Sequence, residues 1–349
     1  MARVGLRNLW ARKLRTFLTG LAILLGVMMV SGTYVLTDTI DRAFDEIFVQ
    51  SNQGVDAVVT TDQAIRTDDG QAPPLDADVL PEVQETDGVA EAEGLVFDPQ
   101  VAVIDDQGER IGGNGAPTFG ASALGERLDP QTYVAGERPA TDEEVALDRG
   151  TAERGGFELG DQVELAGKAA SREYELVGIT TLGDVDSLGG ATTATLTLPE
   201  AQAITGKEGQ FDEIRVAAEE GTSSEELTAR LEGALPETLL AETGAENVAS
   251  QQQDIAEFTG FLKTALLIFA GVALFVAAFL IFNTFSITVA QRTREFAMLR
   301  TLGANRGQIV GSVVLEALAL GLAAAVLGLL AGIGFAPAIN SLFESLEID

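Results

Sequence analysis

The sequence predicts a membrane α-helical protein: three spanning helices with one α+β domain inserted between the first two, outside the cytoplasm. Three observations carry this. Thr16 to Thr37, Thr264 to Gln291 and Ala317 to Phe343 are runs of 22, 28 and 27 residues without a charge. Residues 38–257 hold 12 Lys and Arg against 48 Asp and Glu, so this block carries all the negative excess behind the chain's net charge of −31. The segments before the first apolar run and between the second and third are instead net basic.

A helix needs about 20 apolar residues to cross about 30 Å of hydrocarbon. Spans are therefore predicted at 16–37, 262–286 and 312–335. Runs of this length are seldom needed inside a soluble core. Arg3, Arg7, Arg12, Lys13 and Arg15 precede the first span, in a segment 1–15 that has no acid. Arg292, Arg294, Arg300 and Arg306, against Glu295 alone, fall in the 287–311 loop between the second and third. Positive charge favours the cytoplasmic side, which puts both segments inside and the acidic block, 38–257, outside. A cleaved signal peptide is the rival reading of the first span. Its apolar stretch is too long for that, and no good small-x-small site follows. Three spans leave residues 336–349 outside, and the chain reads as incomplete.

The acidic block reads as mixed α and β. Val55–Thr60 is β-branched and predicts a strand. Leu75–Val83, after two prolines, predicts a short helix. Gly88–Ile104 is strand-like and turns at Asp105–Gly108 into Glu109–Ile111, a hairpin signal. Gly112–Gly115 is a loop. Glu144–Asp148 predicts a strand with a helical turn to about Gly156. Further strands are expected at Gln162–Leu165, Glu173–Thr180, Ala191–Leu198 and Phe211–Val216. Pro199 suits a helix start. Ser223–Glu226 opens a helix through Leu235, with serine caps and acids at its positive end. Both edges look helical: Asp38–Gln50 runs on from the first span and Asn247–Phe261 runs into the second. A tilt of either helix in the bilayer would then move the domain.

The chain has no Cys and no His. That excludes disulfides, thiolate chemistry, Cys/His zinc sites and histidine acid–base catalysis. Strong acidity argues against nucleic acid as a partner. A nucleophile elbow, a P-loop and a dinucleotide loop are all missing, so the chain is expected to be no enzyme and to burn no ATP itself. Thr67–Gly70 and Asp184–Ser187 lack the spaced oxygen ligands of a calcium loop, and no metal is expected.

Two membrane features hold more information. In the loop from Gln291 to Ala304, Phe296, Leu299 and Leu302 recur every three residues, flanked by Arg292, Arg294, Glu295 and Arg300. Gly303 is a natural stop. This predicts a short amphipathic helix at the inner surface. It either rests on lipid or fits its apolar ridge to a groove on a soluble partner. Gly307/Gly311 and Gly328/Gly332 put small residues on one helix face, which permits close packing. Glu316 sits just inside the third span. There it either couples to a partner or snorkels to water or a nearby Arg.

The run Asn283–Ala304, continued by Gln308–Ala317, resembles the hallmark of FtsX-like permeases, the MacB/LolC class of ABC transporter subunits. Leu6–Thr16 resembles their N-terminal amphipathic helix. One span, a large outside domain, then further spans is also their layout. The resemblance is specific at both ends and architectural across residues 60–250. It implies that the outside domain is like the two-lobed MacB periplasmic core, in a bacterial cell membrane. It implies that Arg292–Gly303 is the coupling helix for a separate ABC ATPase, which binds the ATP, so that this chain has no cofactor. A second permease unit is implied as partner, as a homo- or heterodimer or as the second half of a longer chain. Lipids, and in some members an extracytoplasmic protein, complete the partners. The expected function is to transmit ATPase motion to an outside domain that moves or releases lipophilic, peptide or lipoprotein substrates. The alternative is a non-transporting adaptor that regulates an outside partner such as a cell-wall hydrolase. The family has four spans, or ten, against three here.

Overall fold

The computed structural model describes residues 13–62, 73–105, 107–112, 118–168, 170–183, 185–187, 191–291 and 293–334. The chain forms two compact units, Phe44–Gln253 and the remainder. It begins with helix α1 (Lys13–Ser51), unbroken from the first apolar run into the acidic block. Its 39 residues rise about 58 Å, roughly twice the hydrocarbon thickness, so α1 continues past any bilayer it crosses.

The α+β unit then runs β1 (Ala57–Thr61), β2 (Leu75–Asp76), α2 (Leu80–Gln84), β3 (Val89–Leu95), β4 (Phe97–Asp98), β5 (Ala102–Ile104), β6 (Arg110–Ile111), β7 (Thr118–Ser122) and β8 (Thr132–Gly136). It continues with β9 (Glu144–Asp148), α3 (Arg149–Gly155), β10 (Gln162–Ala166), β11 (Arg172–Thr181), β12 (Thr192–Leu196), α4 (Leu198–Thr205), β13 (Gln210–Phe211), β14 (Glu213–Ala218), α5 (Ser224–Ala234) and β15 (Leu239–Thr243).

These elements make two lobes. Lobe 1 is a four-stranded antiparallel sheet, order β15-β1-β14-β3. Helices α2 and α5 pack on one face of it, burying Val83, Leu227 and Leu231 against Ala57, Val59, Ile214 and Val216. The other face carries Val55, Val58, Leu95 and Ala217, and is closed by Leu124 and Leu128 from the segment after β7. Lobe 2 is a nine-stranded mixed sheet, order β4-β7-β12-β9-β11-β10-β5-β6, with β8 branching from β11. Lobe 2 is an insertion in lobe 1: the chain crosses at Val96, between β3 and β4, and returns between α4 and β14.

Several sequence expectations change at these crossings. Gly88–Ile104 is three strands, because Val96 carries the chain from one sheet to the other and Ser122 Oγ accepts its N–H at 3.0 Å. Phe211–Val216 breaks at Asp212, whose carboxylate accepts the Phe97 N–H at 2.8 Å. Leu75–Val83 is helical only from Ala77, and only as a 3-10 turn before Leu80, because Leu75 and Asp76 pair with Phe211 and Gln210. Leu198 opens α4 with Pro199 in its first turn and so leaves the strand before it. The Ser223 cap stands as expected, accepting the Glu226 N–H at 3.2 Å. The loop expected at Gly112–Gly115 lies outside the described residues after Gly112, as do segment 1–12, Thr67–Gly70, Asp184 and residues 335–349.

Three further helices follow: α6 (Gly244–Gln291), α7 (Thr293–Thr301) and α8 (Arg306–Ile333). With α1 they supply the helical unit. Windows of α1, α6 and α8 reach mean hydropathies of 1.8, 2.9 and 2.4, and each helix is long and apolar enough to cross a membrane. The second helix starts well ahead of residue 262 and the third ahead of residue 312. The early start of α8 follows from a capping box: Asn305 Oδ1 accepts the Gln308 N–H at 3.0 Å, and Gln308 Oε1 accepts the Asn305 N–H at 3.1 Å.

Contacts fix the helix directions. Asp41 accepts from Thr259 Oγ1 at 2.8 Å, Lys263 Nζ lies 4.4 Å from the centre of the Tyr34 ring, and Gly26 faces Leu274. Residue numbers fall on α1 as they rise on α6, so the two are antiparallel. Gly20 faces Leu320, Gly328 faces Leu24 and Val27, and Gly332 faces Met28 and Ser31. Here the numbers rise together, so α8 is parallel to α1. The small residues of the second pair permit this approach: a Cβ on Gly328 would lie 2.7 Å from the Leu24 carbonyl oxygen.

That contact is testable. Gly328→Val is expected to lower the stability of the helical unit by about 1–3 kcal/mol through overpacking. Gly311→Val, where a Cβ meets nothing within 4 Å, should be near neutral. Thermal unfolding of the full chain in detergent micelles reads the difference.

Candidate functional site

The helix directions bring the predicted coupling-helix residues to one end of the helical unit. The end of α6, all of α7 and the start of α8 lie with the start of α1. Arg294, Arg300 and Arg306 therefore share an end with Lys13, while Asp38, Asp41, Asp254 and Glu257 lie at the other. Arg294, Arg300 and Leu302 are exposed, Leu302 at 85%. Glu295, Phe296 and Leu299 fall within the α7 backbone and Glu316 within that of α8. Arg292 lies outside the described residues. Gly303 ends the helix with φ +97°, a left-handed turn that favours glycine, and its N–H reaches the Arg300 carbonyl at 3.1 Å. Gly307 and Gly311 do not join Gly328 and Gly332 on α1: a Cβ at Gly307 would meet only Asn305, and one at Gly311 nothing.

Within the α+β unit, the strand that follows α1 and the strand that precedes α6 are neighbours. β1 pairs with β15 so that Ala57 faces Thr243. α1 stops at Ser51, a few residues before β1, and α6 begins directly after β15. The start of α6 is closed by a capping box missed in the sequence: Glu246 N–H donates to Thr243 Oγ1 at 3.1 Å, and Glu246 Oε2 accepts the Thr243 N–H at 3.0 Å. The Gly244 N–H donates to the Asp56 carbonyl at 3.0 Å, tying α6 to the entry of β1.

Sequence reasoning also missed the charged groups that hold the lobes together. Lys207 Nζ lies 3.1 Å from Asp98 Oδ2 and 2.8 Å from Asp212 Oδ1, with its side chain only 10% exposed. Asp98 comes from lobe 2; Lys207 and Asp212 flank the return crossing. On the face of the lobe 1 sheet closed by Leu124 and Leu128, Glu93 Oε2 accepts the Gly125 N–H at 2.7 Å, and Arg127 Nη2 donates to the Ala218 carbonyl at 2.9 Å. Asp129 is buried against Arg138 at 3.2 Å. Burial pushes its carboxyl above the ordinary range, against the pull of Arg138 and Arg215. Burial likewise pushes the Tyr133 hydroxyl up to about 12. A signal existed in the sequence: with 12 cations among 48 acids, each cation of the block has carboxylates to choose from.

Two family models cover these features. The MacB-like periplasmic core domain matches residues 16–234, more than half of the chain, and the FtsX-like permease C-terminal region matches residues 267–348. The chain belongs to the MacB class of FtsX-like permeases. An uncharacterized ABC transporter permease protein of Mycobacterium tuberculosis, Rv0987, is 30% identical over 190 residues, which cover 54% of this chain and 21% of its own. The macrolide export ATP-binding/permease protein MacB of Neisseria gonorrhoeae is 28% identical over 123 residues, covering 34% and 18%. The crystal structure of the periplasmic region of MacB from Actinobacillus actinomycetemcomitans aligns with 58% of this chain and 96% of its own at a TM-score of 0.42 and 10% identity. The permease spans less than half the length of the curated relatives it matches. It is a membrane protein of a permease family, and its α+β unit is of the MacB periplasmic core type.

In this permease Lys207→Met would leave Asp98 buried and short of its main cation. The expected loss is about 3 kcal/mol, a fall in melting temperature of roughly 6–12 °C for a domain of this size. Scanning calorimetry of the full chain in micelles measures it.

Proposed function

We propose that this chain is the permease subunit of an ABC transporter, working by mechanical transmission. A separate ATPase binds the ATP and docks on α7. Its stroke tilts α1 and α6, and the tilt reaches the acidic domain outside the cytoplasm. That domain moves or releases lipophilic, peptide or lipoprotein substrates. The chain itself carries no cofactor, and a second permease unit pairs with it in a bacterial cell membrane.

One observation carries the reading. The exposed basic helix α7 shares an end with the starts of α1 and α8, and α1 and α6 run unbroken from the helical unit to neighbouring strands of lobe 1. An unbroken helix is stiff over this length, because each turn is hydrogen-bonded to the next. A push at the α7 end is therefore carried along α1 and α6 toward β1 and β15. The basic cluster beside α7 and the acids at the opposite helix ends support the orientation, by the bias of positive charge toward the cytoplasm.

Two measurements test this. Leu299→Asp puts a charge on the apolar ridge of α7; it is expected to abolish co-purification of the ATPase while membrane insertion persists, and unchanged co-purification would remove α7 from the docking role. An impermeant thiol reagent applied to intact cells is expected to label Glu158→Cys, an exposed position of lobe 2, and to spare Arg300→Cys. The opposite pattern would invert the topology.

A further inference from the structure

The last carbonyls of a helix have no partner within it and form its negative end. In α1 that end is met by a buried cation. Arg215 stands on β14, the strand between β1 and β3, in register with Val58 on one side and Glu93 on the other. Its side chain is 8% exposed. Nη1 donates to the Ser51 carbonyl at 2.8 Å, and Nε donates to Glu213 Oε1 at 2.7 Å. Neighbouring contacts narrow the freedom of the helix end. Asn52 Nδ2 donates to the Phe48 carbonyl at 3.0 Å. Gln50 presses on Gly183 of lobe 2, and Gly54, at φ +79°, lies so near the Arg127 carbonyl that a Cβ there would be 2.3 Å from its oxygen.

We propose that Arg215 is the positioning residue of the permease: it ties the end of the first membrane helix to an inner strand of lobe 1 while Gln50, on the same last turn, is set against Gly183 of lobe 2, so a displacement of α1 held by this side chain reaches both lobes. The planar fork of an arginine suits this, because two fixed donors meet a carbonyl and a carboxylate at once. A lysine ammonium is a single point charge on a flexible stem. The role rests on the mechanical reading above.

The test uses the full chain in lipid nanodiscs with its ATPase. Nitroxide labels go on exposed positions: Glu46 on α1, Glu220 in lobe 1 and Glu158 in lobe 2. A pair within lobe 1, Glu82 and Glu220, reports folding. Pulsed dipolar spectroscopy should give narrow 46–220 and 46–158 distance distributions in the parent chain, and both should shift on adding ATP. Arg215→Gln is expected to broaden both and abolish their shift, while the 82–220 distribution, ATPase co-purification and basal hydrolysis stay unchanged. Arg215→Lys, kept as the better-folding variant, should give an intermediate width. Widths and shifts equal to the parent in either variant would overturn the role of Arg215 and leave the mechanical reading standing. No ATP-dependent shift in the parent chain would instead overturn the mechanical reading.

Discussion

Hydrocarbon accepts a backbone only where every N–H and C=O is bonded within its own segment. This single demand organises the chain. It makes α1, α6 and α8 continuous through their apolar stretches, and it forbids irregular recognition loops along them. Chemistry is thereby pushed to the helix ends. At one end stand α7 and its arginines. At the other, α1 and α6 pass into neighbouring strands of one sheet. Thr33 and Thr37 follow the same rule on a smaller scale: their buried hydroxyls donate back to the Met29 and Thr33 carbonyls at 2.8 and 3.0 Å instead of seeking partners outside the helix.

The α+β unit solves a different problem. Its surface is crowded with carboxylates that repel one another, while some of its few cations sit where the chain changes sheet or direction. Lys207 joins the two crossings and Arg215 meets the end of α1. Arg172 bonds Glu200, which also accepts the buried Tyr174 hydroxyl at 2.5 Å. The acids are abundant and mostly solvated; the cations are scarce and held. In such a composition the architecture is more sensitive to loss of a Lys or Arg than to loss of an Asp or Glu.

Much of this was legible in the sequence. The apolar runs and the strand at Glu144–Asp148 each have one physical cause, and each appears as a helix or strand in the fold. The helical edges were also legible, because Asp38–Gln50 and Asn247–Phe261 keep a helical spacing. β7, β8 and β15 were not. Thr118–Ser122 contains a mid-strand glycine, Thr132–Gly136 lies half exposed on a branch of the sheet, and Leu239–Thr243 is too short to show a period before α6 begins. The places where single predicted strands break, Val96 and Asp212, are dictated by partners 26 and 115 residues away in sequence, which no local pattern reports. The same holds for the candidate site. The α7 ridge is local and visible. Lys207 and Arg215 matter through groups brought to them by the fold.

The insertion of lobe 2 within lobe 1 bears on how the molecule is made. β14 belongs between β1 and β3, yet it is synthesised only after the whole of lobe 2. Until it emerges, two strands wait with bare edges, and loops this long close slowly. Bare edges invite pairing with other chains. Dense like charge on the waiting segment keeps nascent copies apart, so acidity that contributes little to the finished sheet protects the polypeptide during the interval before it can close.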